Sequence, residues 1–224
     1  MKQRIKTASC ALVMGCAGSF AQAQDTTTPP NLDLTLRAEG GAVAQVLAAQ
    51  DLFALAKIQS DPLAALAAAR IMAGVAVGPV ARVPLTGTIS DLPAITDAAA
   101  MFNVARRLAL DDGLAALVEA ESGRSQLGVS ILTVGASSAL VAAGATDRWD
   151  LAFYASSLAE IGVIGPGNAV LDIQVQDASG QIICRQSGPR DRLYCPFVPQ
   201  ENGQFSVLIA NPGEQAVTYS LLTN

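Results

Sequence analysis

Histidine is missing from the 224-residue chain. Its absence removes Ser-His-Asp and Cys-His nucleophilic catalysis, most zinc hydrolase sites and imidazole-ligated haem. No Gly-x-Ser-x-Gly elbow, Ser-x-x-Lys pair, P-loop or Gly-x-Gly-x-x-Gly strand turn is present either. No catalytic residue, metal site or cofactor is therefore expected. Lysine is scarce, with Lys2, Lys6 and Lys57 alone. Residues 1–23 hold Lys2, Arg4 and Lys6, so without them 14 basic residues become 11 against 19 acidic ones, a formal charge of −8. Nucleic acid and anionic membranes are bound by clustered Lys and Arg, and neither is expected as a partner. Beyond residue 23 no run is long and apolar enough to span a bilayer, so no transmembrane segment is expected in the mature chain.

The N-terminus has the features of an export signal. Lys2, Arg4 and Lys6 precede an apolar stretch over 8–20 and an Ala21-Gln22-Ala23 cleavage site, the pattern of a signal peptide over 1–23. Cleavage before Gln24 would release a periplasmic or secreted protein. Val13-Met14-Gly15-Cys16 offers the alternative of a lipobox, with Cys16 as a lipidated N-terminus. Residues 24–39 begin with a polar Thr- and Pro-containing stretch and read as a flexible lead-in.

Alanine and leucine then dominate as far as Glu121, and 40–124 reads as a helical domain of about four helices in two hairpins. Over 41–59, Val43, Val46, Leu47, Phe53 and Ala56 recur near the helical period. Asp61-Pro62 opens a second helix to about Gly74, the carboxylate capping free amides and the proline occupying the first helical position. Residues 78–90 contain Pro79, Pro84 and Gly87 and read as a loop. A third helix, from Ser90 or Asp91 to about Leu110, has Ile95, Ala98, Phe102, Ala105 and Leu108 on one face. Asp111-Asp112-Gly113 breaks it, and 114–121 forms a shorter fourth helix. The run from Phe53 to Lys57 corresponds to that from Phe102 to Arg106, and Asp61-Pro62-Leu63-Ala64-Ala65-Leu66 to Asp112-Gly113-Leu114-Ala115-Ala116-Leu117. Internal duplication and shared composition both account for this.

From Leu127 the period changes to two. Val129 and Ile131, then Trp149, Leu151 and Phe153, then Leu171, Ile173 and Val175, alternate with other residues as in strands with one buried face. Asp177-Ala178-Ser179-Gly180 turns the last of these into a return strand from Gln181. Phe205, Val207 and Ile209, a turn at Asn211-Pro212-Gly213, and Val217, Tyr219 and Leu221 read as a second hairpin. With 158–164 this gives seven or eight strands, enough for a two-sheet sandwich over 127–224. Cys184 and Cys195 flank a Gly-, Pro- and Arg-rich loop, and a disulfide there would contribute about 2.5 to 3 kcal/mol. Two free buried thiols are the alternative.

The order LDIQVQDASGQII followed by GQFSVLIANPG and a last Tyr-x-Leu strand resembles the bacterial pre-peptidase C-terminal domain, over about residues 145–224. The resemblance implies a small jelly-roll-like β-sandwich of the kind appended to secreted enzymes. Family members often carry Asp-Leu-Asp-Leu at the strand that is Val170-Leu171-Asp172-Ile173 here. Only Asp172 matches, and one carboxylate does not make a calcium site.

The fold class expected is thus α+β, alanine-rich helical hairpins followed by an antiparallel jelly-roll-like sandwich. The function expected is that of a non-catalytic exported binding or accessory protein with a periplasmic protein partner. A carboxylate-dependent hydrolase acting on envelope glycans is one alternative, requiring two facing carboxyl groups. An envelope lipoprotein built on Cys16 is the other. Asp111 and Asp112 read as helix capping, Glu119 and Glu121 as a solvated helix end, and Asp172 and Asp177 as an exposed strand and turn residue. Arg106 with Arg107, and Arg190 with Arg192, could hold an anion or pair with nearby acids. Trp149 and Tyr154 could stack on a sugar, although Trp149 fits the core. The oligomeric state is not legible in these residues.

Overall fold

The computed structural model describes residues 29–38, 40–90, 95–128, 132–189 and 191–224. The signal peptide expected over 1–23, Cys16 and the expected cleavage point before Gln24 lie outside the described residues. Among these the chain forms α1 (Ala42–Gln59), α2 (Pro62–Ala73), β1 (Val75–Pro79), β2 (Thr88–Ile89), α3 (Ala98–Leu108) and α4 (Asp112–Leu127). Eight strands follow: β3 (Leu132–Val141), β4 (Thr146–Phe153), β5 (Ala159–Ile164), β6 (Asp172–Gln176), β7 (Ile182–Gln186), β8 (Arg192–Phe197), β9 (Gly203–Ala210) and β10 (Val217–Thr223). This is the expected α+β fold, with helices leading into a C-terminal β-sandwich.

The helices start where acidic side chains can cap them. Asp61 accepts from the amides of Leu63 (2.9 Å) and Ala64 (3.1 Å), Asp97 from Ala100 (2.7 Å) and Asp111 from Leu114 (2.7 Å). α1 begins at Gly41 without a capping side chain of its own. Glu160 of β5 replaces it, accepting from the amides of Gly41 (2.9 Å), Val43 (3.3 Å) and Ala44 (3.2 Å). That fully buried carboxylate also accepts a hydrogen bond from the Tyr194 hydroxyl at 2.7 Å, which fixes the start of the helical layer to two strands.

One sheet runs β1-β3-β10-β5-β8 with β2 also paired to β3, and the other runs β4-β9-β6-β7. Between them lie Trp149, Ile161, Leu171, Ile173, Phe197, Phe205, Val207, Ile209, Tyr219 and Leu221. The alternation over β6, β9 and β10 therefore points the expected side chains inward. A second core forms on the other face of the first sheet, where Val134, Ile164 and Leu222 meet Val43, Val46, Phe53, Leu66 and Phe102. β5 is buried along its whole length because it is covered on both faces.

Several expectations change. The last two strands do not form a hairpin: β9 pairs with β4 and β6, while β10 pairs with β3 and β5. The connection crosses between sheets, and buried Asn211 holds it by donating to the carbonyls of Gln215 (2.7 Å) and Ala142 (3.2 Å). The stretch 78–90, expected as a loop, supplies the end of β1 and all of β2. α3 starts only at Ala98, and α4 continues past Gly123 to Leu127. Residues 91–94, 129–131 and Arg190, to which some of those expectations applied, lie outside the described residues. From Asn31 the lead-in is not free, since the Asn31 amide side chain donates to Glu201 O (2.9 Å) and accepts from Glu201 N (2.8 Å).

Candidate binding groove

The acidic and basic residues picked out in the sequence fall into structural roles rather than one site. Asp111 caps α4, Asp112 is its first residue, and Arg106 pairs with Glu119. Glu121 pairs with Arg70 (3.4 Å) and Arg124 (2.8 Å), and Arg192 with Asp51 (3.0 Å). Asp172 opens β6 and lines a shallow depression with Gln174 and Arg185. Asp177 is buried rather than exposed. Burial alone would raise its pKa, but hydrogen bonds from Ser179, Asn31 and Gln181 outweigh this and hold it below the usual carboxylate range. Trp149 is core and donates to the Tyr219 hydroxyl (2.8 Å), while Tyr154 is exposed, so the two do not form a sugar platform. The Tyr219 hydroxyl in turn donates to Asp147 at 2.8 Å. Burial raises the pKa of Asp147, opposed by that hydrogen bond. Cys184 and Cys195 are at disulfide-bonding distance, with Cα atoms 5.9 Å apart, and join β7 of one sheet to β8 of the other.

A different set of residues forms a concavity. A groove of about 730 Å³ lies where the helical layer meets the β1 edge of the first sheet. Met72 of α2 and Ile95, just before α3, form one wall, Val83 and Ile89 the other, and Ala136 to Ser138 of β3 the floor. A volume of this size is that of a small-molecule site. A smaller hollow of about 330 Å³ continues it along β1 and shares Met72, Val77 and Asp97 with it.

Buried polar contacts hold the groove open. Gln50 of α1 donates to Thr96 O (2.7 Å) and accepts from Thr96 N (3.1 Å), which fixes the chain carrying Ile95 and Asp97 to α1. On the other side Val80 N donates to Ala136 O and the Ser137 hydroxyl to Val80 O, both at 2.8 Å. Among the described residues Asp97 is the one carboxylate that lines the groove, and its Oδ1 is engaged by the α3 amide of Ala100. Among the described residues the facing pair that a glycoside hydrolase uses is not found there. Arg82 is the one basic residue in the lining. Its Nη1 donates to the hydroxyl of buried Thr223 (2.5 Å), and burial lowers its pKa from the usual value. Sequence reasoning missed Arg82, Met72 and Val83. An arginine alone in the apolar run Val80-Ala81-Arg82-Val83 was the available signal.

No protein-family model and no curated protein matches the chain. Among solved structures it is similar to the pre-peptidase C-terminal domain of a collagenase from Bacillus anthracis, with TM-score 0.36 and 12% identity over 40% of this chain and 87% of that one. It is similar also to a periplasmic inhibitor of g-type lysozyme from Aeromonas hydrophila, with TM-score 0.32 and 14% identity over 41% and 84% of the two chains. A carbohydrate-binding module of a multidomain xylanase from the hindgut metagenome of Trinervitermes trinervoides gives TM-score 0.28 and 8% identity over 39% and 76%. No helix among the described residues is long and apolar enough to cross a membrane.

Proposed function

We propose that the protein is a non-catalytic exported binding or accessory protein, periplasmic or secreted, whose ligand site is the groove between α2, the start of α3 and the β1 edge. The carrying observation is the groove itself, with aliphatic walls held apart by the Gln50 and Val80 contacts. Concave apolar sites with a few fixed polar groups are the usual form of a small-molecule site. Export is supported by the N-terminal pattern of residues 1–23 and by the cysteine pair, since disulfides persist in oxidising compartments. The terminal strands are read as a pre-peptidase C-terminal-like module on the motifs around Asp172 and Phe205, with 40–124 as the helical unit and 127–224 as the sandwich.

The test uses the neutral apolar dye N-phenyl-1-naphthylamine with the secreted, oxidised protein. Saturable one-to-one binding is expected, and Gly78→Leu should abolish it. Gly78 lines the groove and a Cβ there meets nothing within 4 Å, so the leucine fills the site without straining the strand. Unchanged binding in Gly78→Leu, with unfolding as in the wild type, would place the dye elsewhere and remove the groove as the site.

A further inference from the structure

We infer that the groove selects amphiphiles with a singly charged anionic head, the apolar body lying between Met72, Val83 and Ile95 and a carboxylate resting on Arg82; this deepens the groove reading and depends on it. Arg82 lines the groove and also a second cleft of about 440 Å³ along β4, which Asp150, Ala152 and Asn224 line as well. Arg82 is thus shared by the two cavities, with its guanidinium held at the Thr223 hydroxyl. Taking a cation partly out of water is costly unless an anion or several acceptors replace the lost solvent. Here one protein acceptor among the described residues, the Thr223 hydroxyl, serves a half-buried group with five donors, and the other donors are left to solvent or a ligand.

Among the described residues, the two side-chain carboxylates on these cavities are committed elsewhere. Asp97 caps α3 through Ala100 N, and Asp150 is held by Arg148 (3.0 Å) and the Ser206 hydroxyl (2.9 Å). Among the described residues no carboxylate forms an ion pair with Arg82. A planar guanidinium with free donors beside aliphatic walls fits a carboxylate carried on a hydrocarbon chain. A neutral alcohol of the same length would fill the walls but leave the cation uncompensated.

The experiment compares decanoate and decanol by calorimetric titration of the full oxidised protein and of Arg82→Gln and Arg82→Lys. Wild type should bind decanoate at least about tenfold more tightly than decanol, the scale of a charged hydrogen bond. Arg82→Gln should erase that difference while still binding decanol, which also shows that the variant is folded. Arg82→Lys should retain part of it. Equal binding of the two ligands by wild type would overturn the anionic-head inference and leave the groove reading intact. Binding of neither ligand would overturn both.

Discussion

At the scale of single residues, two buried carboxylates show how differently one charge can be used. Glu160 meets three helix-start amides and a tyrosine hydroxyl, all donors, so its charge is solvated by the protein. Asp147 receives the Tyr219 hydroxyl, and burial dominates its titration. Gly87 packs so tightly over it, at φ 115°, that a Cβ would lie 2.3 Å from Asp147 Oδ1. A carboxyl pKa raised in the folded state means that the native protein holds the proton more tightly than the unfolded chain. The stability contributed by the neutral acid is complete below the ordinary value of 3.8 and is lost as pH rises through the raised one. Asp147→Asn, which cannot ionise, should therefore gain stability relative to wild type as pH is raised from about 3 to 7. Urea unfolding of both proteins at several pH values measures the difference, and a pH-independent difference would contradict the assignment.

At the scale of elements, α1 lies directly on β5. A Cβ on Gly162 would fall 2.6 Å from Val43 Cγ1 and 3.3 Å from Leu47 Cδ1, so the absence of a side chain there sets the helix-to-sheet distance. Gly162→Ala should destabilise by about 1–3 kcal/mol through overpacking. Val43→Ala removes the methyl in the way, so the double variant should be more stable than the sum of the two single losses predicts. Strict additivity in a double-mutant cycle would show that the contact does not set the spacing. Gly162 also marks what the sequence could reveal. The capped helices and the inward faces of β6, β9 and β10 were legible, because cap residues and period-two alternation are local signals. The pairing of β1 and β2 with β3 was not, because Pro79, Pro84 and Gly87 look like loop punctuation and the partner strand is some 50 residues away. The Asn211-Pro212-Gly213 turn was visible, yet alternation on either side of it cannot say whether the next strand stays in the same sheet. The groove was illegible for a related reason: Met72, Val83 and Ala136 lie on three separate segments.

At the scale of the whole molecule, the sandwich leans on the segment that precedes it. Along one side, the Leu85 amide donates to Arg148 O (2.7 Å) and the Thr86 hydroxyl accepts from Arg148 N (2.9 Å), covering the free edge of β4. β1 and β2 cover β3 in the same way. Along the other side the closure is internal to the sandwich. The Gln186 side chain accepts from Tyr194 N (2.9 Å) and donates to Tyr194 O (2.7 Å), beside the Cys184 and Cys195 pair. One side is thus self-sufficient and the other borrowed. Val134, Ile164 and Leu222, buried under the helices, would also be bared without residues 40–126. An exported 127–224 fragment is therefore expected to lose stability even with its disulfide formed, because it exposes an apolar sheet face and two strand edges. Its unfolding midpoint in urea should lie well below that of the full chain, and it should associate as concentration rises. A monomeric fragment with the full chain's midpoint would instead establish 127–224 as an independent domain, with the helical unit attached to an already complete sandwich.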